Sequence, residues 1–171
     1  MKSSDNAWHA DNQQVIRKDA ISDEYFAGFV DGEGCFYVGF SKRKDLPLQW
    51  QVITEFHLSQ NPGGRNILEA FRKRIGCGYL KPNHPNNPKD QTWVLIVKDR
   101  RDLKEKLLPF FGSHPVHSQK ALDLKIFKQT LGMIDRKEHL AKEGFDRIVK
   151  LVFKTNRKTL KRYSKETLLN S

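Results

Sequence analysis

The stretch that most limits what this chain can fold into is Phe26-Ala27-Gly28-Phe29-Val30-Asp31-Gly32-Glu33-Gly34. It reads as a short apolar helix that stops at an acidic residue flanked by glycines. Ser22 is placed to N-cap the helix, and Asp23 and Glu24 fall in its first turn, where the helix dipole favours anions. Tyr25, Phe26, Phe29 and Val30 supply apolar contacts. Gly28 and Gly32 lie four apart, on one face. Each glycine inside a helix costs about 1 kcal/mol against alanine. Two in one turn therefore imply that something comes very close to that backbone. Gly34 is placed to end the helix. Glu33 is thereby delivered at the C-terminal end, where a carboxylate is disfavoured and calls for a compensating cation.

Beyond Gly34 the hydrophobic period changes from helix to strand. Cys35–Phe40 alternates, with Phe36, Val38 and Phe40 on one side and Cys35, Tyr37 and Gly39 on the other. Ser41–Leu48 is a basic connection. Gln49–Ser59 alternates more cleanly, Trp50, Val52, Thr54, Phe56 and Leu58 against Gln51, Ile53, Glu55 and His57. The expected result is a long hairpin with one apolar and one hydrogen-bonding face. Asn61-Pro62-Gly63-Gly64 breaks the strand. A helix is predicted over Arg65–Ile75 from the stripe Ile67, Leu68, Phe71 and Ile75. A second hairpin, Tyr79–Asn83 with Thr92–Lys98, is joined by a long polar, proline-rich connection. Further helices are predicted over Arg101–Phe111, Gln119–Leu131 (through Leu122, Ile126 and Thr130) and Glu138–Phe153 (through Leu140, Phe145, Ile148 and Val152). The order is an α+β unit, αββαββα, with additional C-terminal helices. Its four-stranded antiparallel sheet binds on one face and packs helices on the other.

At 171 residues the chain fits a single domain, here residues 21–171, preceded by a polar arm over 1–20 that contains Trp8. The arm has no apolar core of a secretory signal, and no run approaches the roughly 18 apolar residues of a membrane span. Cys35 and Cys77 form no CxxC pattern, so free thiols in a reducing compartment are expected. The expected location is intracellular: a bacterial or archaeal cytoplasm, a mitochondrion or a chloroplast. Net charge is +11. Residues 1–34 hold three basic and seven acidic side chains, so the whole excess lies beyond them. That distribution points to a polyanionic partner, nucleic acid first. The histidines show no metal-ligand spacing, which argues against a zinc site or a histidine-based nuclease.

The Phe26–Gly34 stretch resembles the LAGLIDADG motif of the homing endonucleases. Three later segments resemble the same family. Ile75-Gly76-Cys77-Gly78-Tyr79 is similar to its glycine-rich entry to the third strand. Pro115-Val116-His117-Ser118-Gln119-Lys120-Ala121-Leu122-Asp123 is similar to the segment that carries its active-site lysine. Asn156-Arg157-Lys158-Thr159 with Ser164-Lys165-Glu166-Thr167 resembles the basic C-terminal region of small homodimeric members. The αββαββα order is also that family's core. One motif in a chain of this length implies a C2 homodimer, paired through Phe26, Gly28, Phe29 and Gly32.

The resemblance implies a site-specific, double-strand DNA endonuclease with a long, pseudo-palindromic target, one that promotes intron mobility. Pairing would put Glu33 beside its symmetry mate. Two close carboxylates stay ionised only with cations between them, and oxygen ligands suit Mg²⁺. Mn²⁺ is expected to substitute, and Ca²⁺ to support binding without cleavage. Glu33 and the Gly32 carbonyl are the implied metal ligands. Gln60 and Lys120 are the implied partners of Glu33 in catalysis, positioning water and stabilising the phosphate. Asp31 is expected to hold structure at the helix end rather than to bind metal. Tyr37, Ser41, Arg43, Gln49, Gln51, Glu55 and His57 on the first hairpin, with Lys81, Asn83 and Thr92 on the second, are candidates to read bases. Lys42, Lys44, Lys89, Arg157, Lys158, Lys161 and Arg162 are candidates for phosphate contacts. No membrane or small-molecule substrate is expected. The competing reading is an RNA-splicing maturase or a non-cleaving binder on the same scaffold.

Overall fold

The computed structural model describes residues 21–155 and 162–170. Helix α1 (Asp23–Glu33) begins where Ser22 Oγ accepts the Tyr25 N–H at 3.2 Å. It passes into β1 (Gly34–Lys42) without a loop. Gly34 is extended there, not left-handed. A Cβ on it would sit 2.5 Å from Val30 Cγ1 and 2.7 Å from the Val30 carbonyl oxygen. Only glycine lets a strand leave the helix this sharply.

The sheet continues with β2 (Trp50–Gln60), β3 (Tyr79–Pro82) and β4 (Trp93–Val97), in spatial order β1-β2-β4-β3 with every pair antiparallel. The β1–β2 register runs from Gly34 opposite Leu58 to Lys42 opposite Trp50. The alternation holds: Trp50, Val52, Thr54, Phe56 and Leu58 are all buried, and their odd-numbered neighbours are half-exposed. Gln49 is the exception to the predicted strand. It takes a left-handed conformation (φ 55°) in the connecting turn, where its N–H donates to Leu46 and its carbonyl accepts from Arg43.

Helix α2 (Arg65–Ile75) has the predicted bounds and ends at left-handed Gly76. After β4 come α3 (Arg100–Asp102), a π-helical turn Leu103–Leu107 and α4 (Leu108–Ser113) in direct succession. The wide turn bonds the Leu108 N–H to Leu103 O, just before Pro109, which has no N–H to give. Helix α5 (Gln119–Asp135) extends past its predicted end. Leu122, expected on its core stripe, is 39% exposed; Ile126, Phe127, Leu131 and Ile134 do the packing.

The predicted helix from Glu138 is broken. A 3₁₀ turn, Glu138–Leu140, is followed by extended Ala141 and then α6 (Lys142–Val152). Leu140, expected on that helix's apolar stripe, is accordingly exposed. Gly144 explains the tight approach there, since a Cβ on it would lie 2.0 Å from Glu138 O. A short α7 (Lys165–Leu169), not anticipated in the basic tail, is capped by Ser164 and anchored by fully buried Leu168.

Two apolar clusters lie on the helical side of the sheet. The larger is built on tilted and edge-to-face aromatic rings, with Phe71 against Phe26 (5.2 Å between centroids), Phe56, Phe110 and Phe111. The smaller joins the far end of β1–β2 to α5, α6 and α7 through Phe40, Trp50, Phe145 and Leu168. Asp23 at the start of α1 accepts from Arg74 Nε at the end of α2 (2.6 Å), an arrangement both helix dipoles favour.

Candidate active site

Two structural devices bring Glu33, Gln60 and Lys120 to one end of the sheet. The first is the strand register. Gly34 stands opposite Leu58, so Glu33 at the end of α1 and Gln60 at the end of β2 lie at the same edge. The second is a clasp between α1 and α5. The Asp31 carboxylate accepts from the Ser118 hydroxyl at 2.7 Å, the Ser118 N–H at 3.1 Å and the His117 N–H at 3.2 Å. Ser118 in turn caps α5, its Oγ accepting the Lys120 N–H at 3.2 Å. Lys120 thus sits in the first turn of a helix that is tied to the last turn of α1.

The two acids of the motif are therefore in different states. Asp31 is consumed by the clasp. Partial burial alone would raise its pKa, but the Ser118 hydroxyl, the two N–H donors and the His117 ring outweigh that and hold it below 3.8. Glu33 is exposed at a helix C-terminus whose last turn has no basic residue, and its carboxylate has no partner among the described residues. The Gly34 N–H returns to Val30 O, which leaves the Gly32 carbonyl among the helix's unpaired last acceptors. An unpaired carboxylate beside a free carbonyl is a hard-oxygen donor set of the kind Mg²⁺ takes. The chain brings a single such acid, and among the described residues no group of three or more His, Cys, Asp or Glu could hold a metal ion.

Gln60 has a local contact. Its Oε1 accepts the Asn61 N–H at 2.9 Å, and its side chain lies against Gly64. Next to it Arg65 lies over the Trp93 ring at 3.8 Å.

The outer face of α1 is bare. A Cβ built on Gly28 or Gly32 would meet nothing within 4 Å. The packing of the described residues therefore gives no reason for either glycine. Phe29 is half-exposed on this face and stacks in parallel on Tyr25, which is 50% exposed. Phe26 does not belong there: it is 2% exposed and packs into the core on Phe71, because the helical period turns positions 26 and 30 inward. Tyr25, four residues before Phe29, is the aromatic ring that shares this face with it.

Opposite the helices, the other sheet face carries Tyr37, Gln51, Glu55 and His57. His57 Nε2 pairs with Glu55 Oε2 at 2.8 Å, and the His57 ring stacks on Tyr37. The Tyr37 hydroxyl lies over Gly39, 2.2 Å from where a Cβ would be. Burial, then Glu55 and Cys35, raise the Tyr37 pKa, and Arg162 opposes them. The register puts Lys81 on this face as well, with Asn83 beyond it paired to Thr92. The middle of the face is apolar, however, since Val94 and Ile96 are buried there. Thr92 is committed locally, its hydroxyl and N–H both donating to Asp90, whose pKa they lower to about 2. Arg43 is held by Asp45 at 2.7 Å. Ser41 is half-exposed at the end of β1. Lys42, Lys44, Gln49 and Lys89 are exposed, Lys42 near the Trp50 ring. Arg157, Lys158 and Lys161 lie outside the described residues, as does the 1–20 arm.

With this geometry in view, the family decides itself on one observation: the family model described as LAGLIDADG endonuclease matches residues 26–131. The chain belongs to the LAGLIDADG endonuclease family. A Podospora anserina protein described as an uncharacterized 50.9 kDa protein in ND4 intron 1 is 32% identical over 120 residues, covering 69% of this chain and 25% of the relative. The chain spans about a quarter of the length of the first curated relatives it matches, 25% and 23%. Among solved structures, the homing endonuclease I-TnaI is 35% identical with a TM-score of 0.75, over 89% of this chain and 96% of that one. The archaeal intron-encoded homing endonuclease I-Vdi141I, solved in complex with DNA, is 25% identical with a TM-score of 0.75, over 86% of this chain and 92% of that one.

Proposed function

We propose that this LAGLIDADG chain is a homing endonuclease that pairs as a C2 homodimer through the bare face of α1 and cuts both strands of a long, pseudo-palindromic DNA site with Mg²⁺. The observation that carries this reading is the split between Asp31 and Glu33: one acid is bound into the fold, and the other is left exposed and unpaired at the end of the glycine-faced helix. Pairing through Tyr25, Gly28, Phe29 and Gly32 brings two copies of Glu33 toward the dyad. Like charges there repel unless cations lie between them.

Glu33 and the Gly32 carbonyl would hold the ion. The chemistry a bound Mg²⁺ supplies is an activated water and stabilisation of charge on the phosphate and leaving oxygen. Lys120 places a positive charge at the same end of the sheet, where it offsets charge on the scissile phosphate. Gln60 keeps an amide N–H₂ to orient water. The Tyr37, Gln51, Glu55, His57 and Lys81 face reads base edges, and Lys42, Lys44, Lys89 and Arg162 serve phosphates. The expectation of an organelle or prokaryotic cytoplasm, and of intron mobility, follows from relatives described as intron-encoded. No described helix is long and apolar enough to cross a membrane, and both cysteines are free thiols.

The test is Glu33→Gln, in a selection of cut sequences from a randomised duplex library. Wild type with Mg²⁺ should enrich one near-palindromic site, and Ca²⁺ should give binding without cutting. The variant should keep the affinity and lose cutting by at least 1,000-fold, about 4 kcal/mol of barrier. Undiminished Mg²⁺-dependent cutting by the variant would remove Glu33 from the site. Tight RNA binding with no DNA cut by wild type would instead establish the maturase reading.

A further inference from the structure

On the helical side of the molecule, away from the sheet's exposed face, α5 and α6 present two basic ridges to each other. Lys128 on α5 and Arg136 just past its end stand eight residues apart on one side of the cleft, with Gly132 midway between them. Arg147, Lys150 and Lys154 form the facing ridge along α6 and just beyond its end. Between the ridges runs an open cleft of about 600 Å³. Glu138 closes one end, its two oxygens accepting from Arg136 at 2.7 Å and from Arg147 at 2.9 Å. That single carboxylate links the two ridges and still leaves one positive charge in excess. Lys128, Lys150 and Lys154 have no carboxylate partner among the described residues, and all three are exposed. Ordinary solvated lysines tend to be interspersed with acids; here the cations converge on one concave surface.

We infer that this cleft is a second nucleic-acid site, which grips the phosphate backbone of a separate DNA duplex while the sheet holds the target. The inference rests on the endonuclease reading for the identity of the polymer. The stretch from Lys128 to Arg136 spans about 12 Å, and one strand of a duplex rises roughly 3.4 Å per phosphate along its axis while it winds around it. The cleft therefore faces about two or three successive phosphates before the strand turns away, and its surplus of cations is enough to neutralise them. No aromatic ring lines it. Base stacking, on which single-strand binding depends, has no platform there, so contact is to backbone alone and carries no sequence preference. Because α5 turns Ile126, Phe127, Leu131 and Ile134 toward the sheet, its basic stripe faces away from it. A duplex on the sheet cannot reach the cleft. The consequence is a protein able to bridge two duplexes and to pass between them without first dissociating.

The experiment is a sandwich capture with the full chain. A non-specific duplex is fixed to beads and a second, fluorescent duplex is added across a range of salt. Wild type should retain the second duplex. K128Q/K150Q/K154Q should lower retention at least tenfold, reduce the salt slope of second-duplex binding by roughly 3, and cut the target as wild type does. Equal retention by the triple variant overturns the inference. So does loss of target cutting with it, because the cleft would then belong to the target complex. Displacement of the second duplex by RNA duplex at tenfold lower concentration than by DNA overturns the assignment to DNA. A wild type that cuts its target but holds one duplex sinks this inference alone, whereas one that neither binds nor cuts DNA sinks the endonuclease reading.

Discussion

Replacing Asp31 by alanine should loosen the hydrogen-bonded clasp that ties the start of α5 to the end of α1. The carboxylate receives two backbone N–H groups and one hydroxyl. A hydrogen bond to a charged group contributes about 1.5–3 kcal/mol when well formed and enclosed. Asp31 is only partly buried and water can replace its donors, so the three together are worth about 2 kcal/mol. For a chain of this size that corresponds to a fall of about 4–8 °C in the unfolding midpoint. The pH dependence follows from linkage. The folded pKa lies below 3.8, so the unfolded state binds the proton more tightly. The contribution is complete above about pH 5 and disappears as pH falls through the folded value. Scanning calorimetry of wild type and Asp31→Ala at pH 7 and again near pH 3 should show a gap that narrows in acid. A Ser118→Ala variant, alone and combined with Asp31→Ala, should give strongly sub-additive losses, because both remove the same contact. Catalysis should fall further than stability explains, since Lys120 rides on the helix that the clasp positions. A midpoint within 1 °C of wild type, or a gap that does not narrow in acid, refutes the reasoning.

Phe71→Ala should cost about 3–5 kcal/mol, because the ring is fully buried among four other phenylalanines; a denaturant midpoint implying less than 2 would contradict that packing. Gly39→Ala should leave stability nearly unchanged but swing Tyr37 off the strand, since the new methyl occupies the hydroxyl's place. Cleavage profiles over single base-pair changes in the target should then shift at a few positions, and an unaltered profile would show that Tyr37 reads nothing. The Cys77 thiol is pushed up to about 11 by burial, with Asp102 adding to it. At pH 8 it should alkylate only as fast as the protein opens, and mass spectrometry finding Cys77 modified within minutes in native buffer would contradict this.

The strands were legible because their signal is local. Alternation over Trp50–Leu58 is a direct consequence of pleat geometry, and the structure buries each apolar member of it. Helix α2 was legible to the residue, since Gly64 and Gly76 bracket a regular stripe. The failures are non-local. Ala141 interrupts a continuous helical pattern because Gly144 must approach the Glu138 carbonyl, a contact no periodicity encodes. Leu122 fits the stripe of α5 but points outward, because α5 is rotated to seat Phe127 and Leu131 in the core. Phe26, expected on the outer face of α1, is a further case. Three apolar residues on one helix turn are equivalent by pattern, and the contact with Phe71 is what turns Phe26 inward.

The motif's two acids illustrate how far residue identity alone can go. Asp31 and Glu33 carry the same charge and stand two residues apart, about 200° around the helix axis. That angle guarantees that they face different surroundings, but not which one each meets. The partner is supplied 86 residues later, when the chain returns His117 and Ser118 to the last turn of α1. Those donors take Asp31, and the last turn of α1 holds no basic residue for Glu33. The cost of leaving a carboxylate there falls on whatever binds next. A site that its own fold leaves electrostatically unbalanced is one that a cation, and through it a phosphate, completes. On the proposed reading this is the link from the glycine-faced helix to hydrolysis: the fold satisfies one acid and leaves the other available.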